Sequence, residues 1–160
     1  MPTMTPSITS HGRPDRATIT AFRFFDELPD EDLALIEQHG ERLDATAGAT
    51  LIHEGDADDR LFLICSGELA VHQQGQPRRA LGPGDIVGEI AATPTGHGFR
   101  RTATVTVEER AELIAVPADV IRQLAAAHPR LRAYFDSVRS QRLTFDAITQ
   151  HLRDGGSDAS

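Results

Sequence analysis

The residues whose types and spacing could do chemistry are concentrated between Gly84 and Val105. Gly88 and Glu89 follow a glycine-containing loop, and Arg101 opens the β-prone run that comes next. A guanidinium can grip a phosphate through two parallel hydrogen bonds. A carboxylate only accepts hydrogen bonds, so Glu89 suits a sugar hydroxyl such as a ribose 2′-OH and would repel a phosphate. The pair therefore indicates a site for a ligand that carries both groups.

The backbone around this pair also favours an anion. Gly88 permits a sharp turn and a close approach of the main chain to a ligand. Residues 89–92 can form one helical turn whose free N–H groups point at a negative charge. Arg100 stands beside Arg101 and could compete for the phosphate, but the register of the following strand favours Arg101.

Antiparallel strands must position these residues, because short β-prone runs alternate with glycines from residue 41 to residue 116. The runs are residues 50–52, 61–65, 68–71, 102–107 and 112–116. This spacing predicts a sandwich or barrel of about eight strands. Residues 82–85 are interpreted as a turn between strands rather than as a ligand loop. Arg78 and Arg79 are expected at a solvated strand edge, and Cys65 as a small buried side chain on a strand.

Helical patterns flank the strands. Residues 1–20 are rich in Thr, Ser, Pro and Arg, which predicts a flexible tail. A helix is predicted to begin with Asp30 as its N-cap and to end at Gly40. Beyond the strands, Pro117 suits the first turn of another helix, which His128–Pro129 interrupts.

The last predicted helix runs from about residue 130 to residue 153, and residues 154–160 are expected to be a disordered tail. Four apolar residues recur on it every seven positions, namely Leu131, Val138, Phe145 and Leu152. This stripe predicts either a dimer seam of coiled-coil type or a lid that packs on the strands, and both can hold. Gln141 and Arg142 in the middle of the stripe weaken a long seam.

Composition limits the functional class. The chain has 160 residues and a formal net charge of −8, which argues for one domain and against a nucleic-acid partner. No apolar run approaches the ~20 residues of a membrane span, and no secretory signal opens the chain. The single cysteine excludes an internal disulfide, so a cytoplasmic location is expected. The scattered histidines have no metal-ligand spacing, and a metal-dependent enzyme built on His53 and Glu54 is disfavoured because no second histidine lies two residues away.

The motif around Gly88 resembles a known family. Residues 88–91 (Gly-Glu-Ile-Ala) and 101–103 (Arg-Thr-Ala) are similar to the phosphate-binding cassette of cyclic-nucleotide-binding domains. That cassette reads Gly-Glu-Leu-Ala-Leu, a short loop, then Arg-(Ala/Ser/Thr)-Ala. The likeness covers about residues 22–145. Ala92, in place of a large aliphatic residue, and a longer loop at 93–100 depart from the pattern.

The resemblance implies a fold and its boundaries. The fold class is α+β: an antiparallel β-roll (a double-stranded β-helix, or jelly roll) with an N-terminal helix and two C-terminal helices. The binding domain would span residues 21–153, with the roll at about 41–116 and the C-terminal helices at about 117–153.

The resemblance also implies site roles. Glu89 would bind the ribose 2′-OH and Arg101 the cyclic phosphate. The remaining cassette positions would supply backbone contacts or, at the threonine, a hydroxyl near the phosphate or base: Gly88, Ile90, Ala91, Thr102 and Ala103. Thr102 favours cGMP over cAMP, because its hydroxyl could reach the guanine amino group.

The function implied is a regulatory domain that binds cAMP or cGMP, needs no metal and catalyses nothing. Since only seven residues follow Arg153, output is expected in trans, through a partner protein or through a homodimer formed by the last helix. The alternative is a degenerate, ligand-free domain of the same fold, in which Glu89 and Arg101 form a structural ion pair and the roll serves as an interaction scaffold.

Overall fold

Antiparallel strands flanked by helices make up the computed structural model, which describes residues 5–55, 60–88 and 103–137. The strands are β1 Ile8–Ser10, β2 Glu41–Ala45, β3 Thr50–Ile52, β4 Leu61–Gln73, β5 Gln76–Leu81, β6 Ile86–Val87 and β7 Thr104–Val116. The helices are α1 Arg16–Thr20, α2 Arg23–Asp26, α3 Asp30–His39 and α4 Ala118–Ala127, followed by helical residues 129–137, here α5. The predicted α+β class is confirmed.

The sheet is organised around β4 and β7, each thirteen residues long. Its strand order is β1-β2-β7-β4-β5, while β3 also pairs with β7 and β6 also pairs with β4. All of these pairings are antiparallel. Every other described strand except β1 therefore hydrogen-bonds directly to one of the two long strands.

Successive side chains of the two long strands point to opposite faces of the sheet and so belong to two different apolar cores. Leu61 and Leu63 of β4 point to the helices, whereas Phe62 and Ile64 point into the roll. The helical core contains Ile19, Phe22, Phe25, Leu33, Ile36, Leu61, Leu63, Ile86, Ile114, Val116, Val120, Ile121, Leu124, Leu131 and Phe135. The interior core contains Leu43, Ala45, Ala49, Leu51, Ile52, Phe62, Ile64, Leu69, Val71, Leu81, Val87, Val105, Val107, Ala111, Leu113 and Ala115. Burial on both faces explains why this stretch reads as one continuous apolar run.

A β-bulge at Gly67 joins two runs that were predicted from the sequence as separate strands. Residues 61–65 and 68–71 were predicted as two strands but belong to the single strand β4. Gly67 has φ +93° at the register shift opposite β7. A Cβ at this position would meet the Arg110 carbonyl oxygen and would lie 2.5 Å from Ala111 Cα. The glycine therefore allows a bend, not a chain reversal. The predicted runs 102–107 and 112–116 are likewise joined, from residue 104 onward, in β7.

The N-terminal prediction is wrong for residues 8–20, which form β1 and α1 rather than a flexible tail. Ile19 is fully buried in the helical core. The Thr18 N–H donates to Asp15 Oδ1 over 3.1 Å and caps α1. Arg16 Nε donates to Glu37 Oε1 over 2.7 Å and ties α1 to α3. Two buried apolar residues, Pro14 and Ile19, the pairing of β1 with β2 and a few polar contacts order a segment whose composition is typical of disorder.

The boundaries of α3 have different causes from those predicted. Pro29 is the N-cap, and Asp30 is the first helical residue, so the predicted Asp30 cap is wrong. The acidic side chains of the first turn still lie at the positive end of the helix dipole. Gly40 does follow the last helical residue, but its backbone is extended. Glycine fits there because a Cβ would lie 2.6 Å from the Ile36 carbonyl oxygen.

The predicted break between the C-terminal helices is confirmed. His128 has φ −128° and ψ 97° at the end of α4, which is the extended conformation expected before Pro129. Pro117 is the N-cap of α4 rather than part of its first turn. Beyond residue 137, the rest of the predicted last helix, most of its apolar stripe and the expected tail at 154–160 lie outside the described residues.

The start of α5 is packed against the N-terminal helices. Tyr134 stacks on Phe24 with ring centroids 4.5 Å apart, and Phe135 meets Phe24 edge-on at 5.9 Å. Leu131, the first residue of the predicted stripe, is 3 % exposed and belongs to the helical core. At this end, the stripe is therefore engaged within the domain. No helix among the described residues is long and apolar enough to cross a membrane.

Candidate functional site

A hydrogen-bonded turn at residues 82–85 directly precedes the candidate site. The Gly82 N–H donates to Asp85 Oδ2 over 2.8 Å. The Gly84 N–H donates to the Ile64 carbonyl over 2.9 Å, and the Ile64 N–H donates to the Asp85 carbonyl over 3.0 Å. Residues 82–85 thus form a structural turn, as interpreted from the sequence, and they lock β6 onto β4.

Gly88 ends β6 in a conformation that suits glycine. Its φ is +93°, a region that side-chain-bearing residues rarely adopt. The preceding residue, Val87, is buried in the interior core and pairs with Phe62 of β4. The last residue of β6 is therefore anchored inside the roll, and the residue that follows has a backbone conformation that favours glycine.

Ala103 marks the return of the chain to the sheet. It is partly buried and packs against the interior core immediately before β7. Thr104 Oγ1 accepts a hydrogen bond of 3.0 Å from the Glu54 N–H, and Val105 is 1 % exposed. The start of β7 is therefore held from both sides, by the loop that follows β3 and by the core.

Of the seven predicted site residues, the structure describes the first and the last, Gly88 and Ala103. Gly88 directly follows β6 and Ala103 directly precedes β7, two strands that both pair with β4, and Ala103 packs against the interior core. The other five lie outside the described residues: Glu89, Ile90, Ala91, Arg101 and Thr102. Their roles stay predictions.

The rim of the roll beside Ala103 is formed by the β4–β5 hairpin and the loop that follows β3. Gln74 and Gly75 form a two-residue turn with φ +53° and +77°, which is the left-handed conformation that tight hairpins require. The Gln74 N–H donates to Glu54 Oε1 over 3.1 Å. The Glu54 carboxylate therefore holds the hairpin. Within residues 5–55, 60–88 and 103–137, no three His, Cys, Asp or Glu side chains gather as a metal-binding group.

Sequence reasoning overestimated the exposure of two arginines of β5. Arg78 and Arg79 were expected at a solvated strand edge; β5 is the last strand in the order of the described sheet, but both arginines are partly buried and their Nε atoms are shielded from solvent. Arg79 pairs with Val71 of the interior core, and Leu81, two residues on, belongs to the same core. The two-residue period of a strand could have indicated this burial, because it places Arg79 on the same face as Leu81.

Cys65 is the one cysteine of the chain and lies half-buried on β4, packed against the helical core. Burial, and to a smaller extent the nearby Glu112 carboxylate, raises the pKa of the Cys65 thiol to about 11. The thiol therefore stays protonated near neutral pH, which suits the predicted role of a small core side chain.

Comparison with known proteins places these features in a family. The family model for the cyclic nucleotide-binding domain matches residues 42–128, more than half of the chain. Pycsar effector protein XpPycTIR of Xanthomonas perforans is 38 % identical over 77 residues, which are 48 % of this chain and 25 % of that protein. The CRP-like cAMP-activated global transcriptional regulator of Mycobacterium tuberculosis is 25 % identical over 116 residues, 69 % and 50 % of the two chains. The chain thus spans a quarter to a half of these relatives.

Solved structures share the fold. The Thermus thermophilus catabolite activator protein superposes with a TM-score of 0.64 at 24 % identity, covering 82 % of this chain and 62 % of that one. A cyclic nucleotide-binding domain from Methylobacillus flagellatus gives a TM-score of 0.62 at 22 % identity, covering 92 % and 84 %. Together with the family match over residues 42–128, the bulged roll and its flanking helices identify the chain as a member of the cyclic nucleotide-binding domain family.

Proposed function

We propose that this domain binds a cyclic nucleotide inside the roll and acts as a regulatory module that catalyses no reaction. The observation that carries the proposal is the family match over residues 42–128, within which Val87, the residue before Gly88, and Ala103 both belong to or pack against the interior core. Gly88 and Ala103 are the first and last residues of the segment whose sequence resembles the phosphate-binding cassette. An apolar roll with a polar cassette at its wall suits a ligand that has a flat base and a charged phosphate.

In this proposal, different cassette residues bind different parts of the ligand. Arg101 binds the cyclic phosphate through a charge-assisted contact, and Glu89 accepts a hydrogen bond from the ribose 2′-OH. The remaining cassette positions bind through main-chain groups and one hydroxyl: Gly88, Ile90, Ala91, Thr102 and Ala103. The positive φ of Gly88 supports this arrangement, because it allows the main chain to approach a ligand closely.

Output is proposed to run through the C-terminal helices. The Pro129 break lies between α4 and α5, so the last helix can reorient without unfolding α4. Ligand binding would draw that helix toward the base and change the surface offered to a partner protein or to a second copy of this chain. We place this regulation in the cytoplasm.

Thermal unfolding with cAMP, cGMP and 5′-AMP tests the proposal. A ligand at about 100 times its dissociation constant adds about 2.7 kcal/mol to the free energy of unfolding, a rise in Tm of several degrees. We expect this rise with a cyclic nucleotide and none with 5′-AMP, whose phosphate is not cyclised.

Two neighbouring arginines supply the matched variants. Arg101→Ala is expected to abolish the rise in Tm, whereas Arg100→Ala, which removes the same charge one residue away, is expected to retain it. A wild-type protein that melts cooperatively and shifts with no cyclic nucleotide would refute the proposal and favour the ligand-free scaffold.

A further inference from the structure

Strand β1 leaves one edge of the sheet open. It stands at the end of the strand order and, among the described strands, pairs with β2 alone. Its three residues are all exposed. Ile8 is 38 % exposed, more than any other large apolar side chain that the structure describes. The outer edge of β1 is therefore accessible to another strand.

The residues on either side of β1 show which backbone groups face β2. The Ser7 carbonyl accepts a hydrogen bond of 3.0 Å from the Thr46 N–H, and the His11 N–H donates to the Arg42 carbonyl over 2.8 Å. Every second residue of an antiparallel strand bonds to the same neighbour. The odd-numbered residues of this segment therefore bond to β2.

The even-numbered residues of β1 face away from the sheet. Thr9 lies opposite Asp44 of β2 and continues the bonded series. The N–H and C=O groups of Ile8 and Ser10 therefore point outward, where the described part of the chain provides no further strand. The edge thus presents two residues, each with a donor and an acceptor.

Residues 8–10 lack the features that commonly protect an edge strand. They include no proline and no charged side chain, and their pairing with β2 has no bulge. Pro6 precedes the strand, and Gly12 follows it with φ +88°. These neighbours limit any added pairing to a short segment.

We propose that β1 pairs antiparallel with β1 of a second copy of this chain, so that the two sheets become continuous. The exposed edge is self-complementary about Thr9. Ile8 of one copy lies opposite Ser10 of the other, and in each such pair both N–H groups donate to the facing carbonyls. The same surface is used by both copies, so the association closes as a two-fold dimer and does not grow into fibres.

Side chains beside the two-fold axis favour this pairing. Thr9 meets Thr9 of the second copy, and directly opposite threonines stabilise a sheet. The nearest carboxylate, Asp44, is neutralised within each copy, because Arg110 Nε donates to its Oδ1 over 3.0 Å and His11 Nε2 lies 3.7 Å from its Oδ2. The formal net charge of −8 still opposes association over longer distances, so the dimer should strengthen with salt.

This surface is separate from the parts of the chain that carry the proposed function. Residues 8–10 lie outside the family match at 42–128, and they are distinct from the apolar stripe of the last predicted helix. The inference therefore stands or fails independently of nucleotide binding. The short edge predicts a weak and reversible dimer.

Disulfide trapping tests the pairing at the residue level, in a Cys65→Ala background that removes the native thiol. The two copies of Thr9 would face each other with Cα atoms about 4.5 Å apart, within the range of a disulfide. The two copies of Ile8 would be displaced by two residues, about 6.6 Å along the strand. We expect Thr9→Cys to form disulfide-linked dimers roughly tenfold faster than the matched control Ile8→Cys.

Sedimentation equilibrium at millimolar protein tests the free backbone groups. Ser10→Pro removes the outward N–H and spares the bonds to β2, whereas Ser10→Ala keeps that N–H. We expect the mean mass of wild type and of Ser10→Ala to rise toward that of a dimer with protein and salt concentration, while Ser10→Pro stays monomeric. Ile8→Lys, which places a charge on the edge, serves the same purpose if the proline variant does not fold.

Equal rates of cross-linking for Thr9→Cys and Ile8→Cys would overturn the inference, as would association of Ser10→Pro to the same extent as wild type. A wild-type protein that stays monomeric at millimolar concentration and high salt would also overturn it. Association that is lost in Phe145→Glu and kept in Ser10→Pro would assign the dimer to the last predicted helix instead.

Discussion

Replacing Gly67 with alanine is expected to destabilise the roll through two separable effects. The first is backbone strain, because φ is +93° and an L-residue in the left-handed region costs about 1–2 kcal/mol. The second is overlap, because the new Cβ would meet the Arg110 carbonyl oxygen and would lie 2.5 Å from Ala111 Cα. Both obstacles are backbone atoms of β7 that cannot rotate away, so the overlap should cost about 1–3 kcal/mol more.

Gly75 provides the matched control for this substitution. It also has a positive φ, +77°, but a Cβ there would have no atom within 4 Å. Gly75→Ala should therefore carry only the strain, about 1–2 kcal/mol. The restriction that alanine imposes on the unfolded chain is the same for both variants, so it cancels in their difference.

Denaturant unfolding at equilibrium measures the two free energies. We expect the free energy of unfolding of Gly67→Ala to be about 1–3 kcal/mol lower than that of Gly75→Ala. For a chain of this size, this difference corresponds to several degrees in Tm. Equal free energies of unfolding for the two variants would refute the reasoning, because they would show that the β4–β7 approach at the bulge is not as close as described.

Three further predictions concern two groups away from the cassette, Cys65 and Asp32. Because the pKa of the Cys65 thiol is raised to about 11, its alkylation at pH 8 should be about 100-fold slower than that of the unfolded chain, as followed by mass spectrometry, and an equal rate would contradict the burial. The same raised pKa means that folding favours the protonated thiol, so its contribution to stability is complete below the ordinary value of 9.0 and is lost as pH rises toward 11. Asp32→Asn should lower the free energy of unfolding by about 1–2 kcal/mol, because Asp32 Oδ2 lies 2.6 Å from His128 Nε2 in a partly buried contact. Glu31→Gln, in the same helical turn, is its control, and urea unfolding that gives equal losses for the two variants would refute a specific role for the contact.

The strands and the fold class were predictable because their signals are local. Glycines separated by β-prone runs predict antiparallel strands, and the break before Pro129 follows from the restriction that proline imposes on His128. The bulge at Gly67 was not predictable, because a glycine after a strand reads equally as a turn or as a bend. Only the partner strand β7 decides between the two.

The N-terminal segment shows where composition misleads. Residues 8–20 contain few apolar side chains, and such segments are ordinarily disordered. The segment is ordered by tertiary contacts that composition does not record, namely the burial of Ile19 and the contact between Arg16 and Glu37. The predicted Asp30 cap is wrong by one residue, because Pro29 holds the N-cap position and Asp30 is the first helical residue.

The candidate site was predictable as a motif but not as a pocket. Gly88 and Glu89 stand out because their types and order match a known cassette. Arg79 is not part of a recognisable sequence motif. In the sequence alone, two adjacent arginines, Arg78 and Arg79, indicate a solvated strand edge. The inward direction of Arg79 follows from the pairing with Val71, which is a property of the assembled sheet.

Isothermal titration of the purified domain with cyclic nucleotides tests the central claim most directly. We predict saturable binding of one cyclic nucleotide per chain to wild type and to Arg100→Ala, with binding lost in Arg101→Ala while its cooperative unfolding is unchanged. Unchanged affinity in Arg101→Ala, or no binding by a well-folded wild-type protein, would contradict the account.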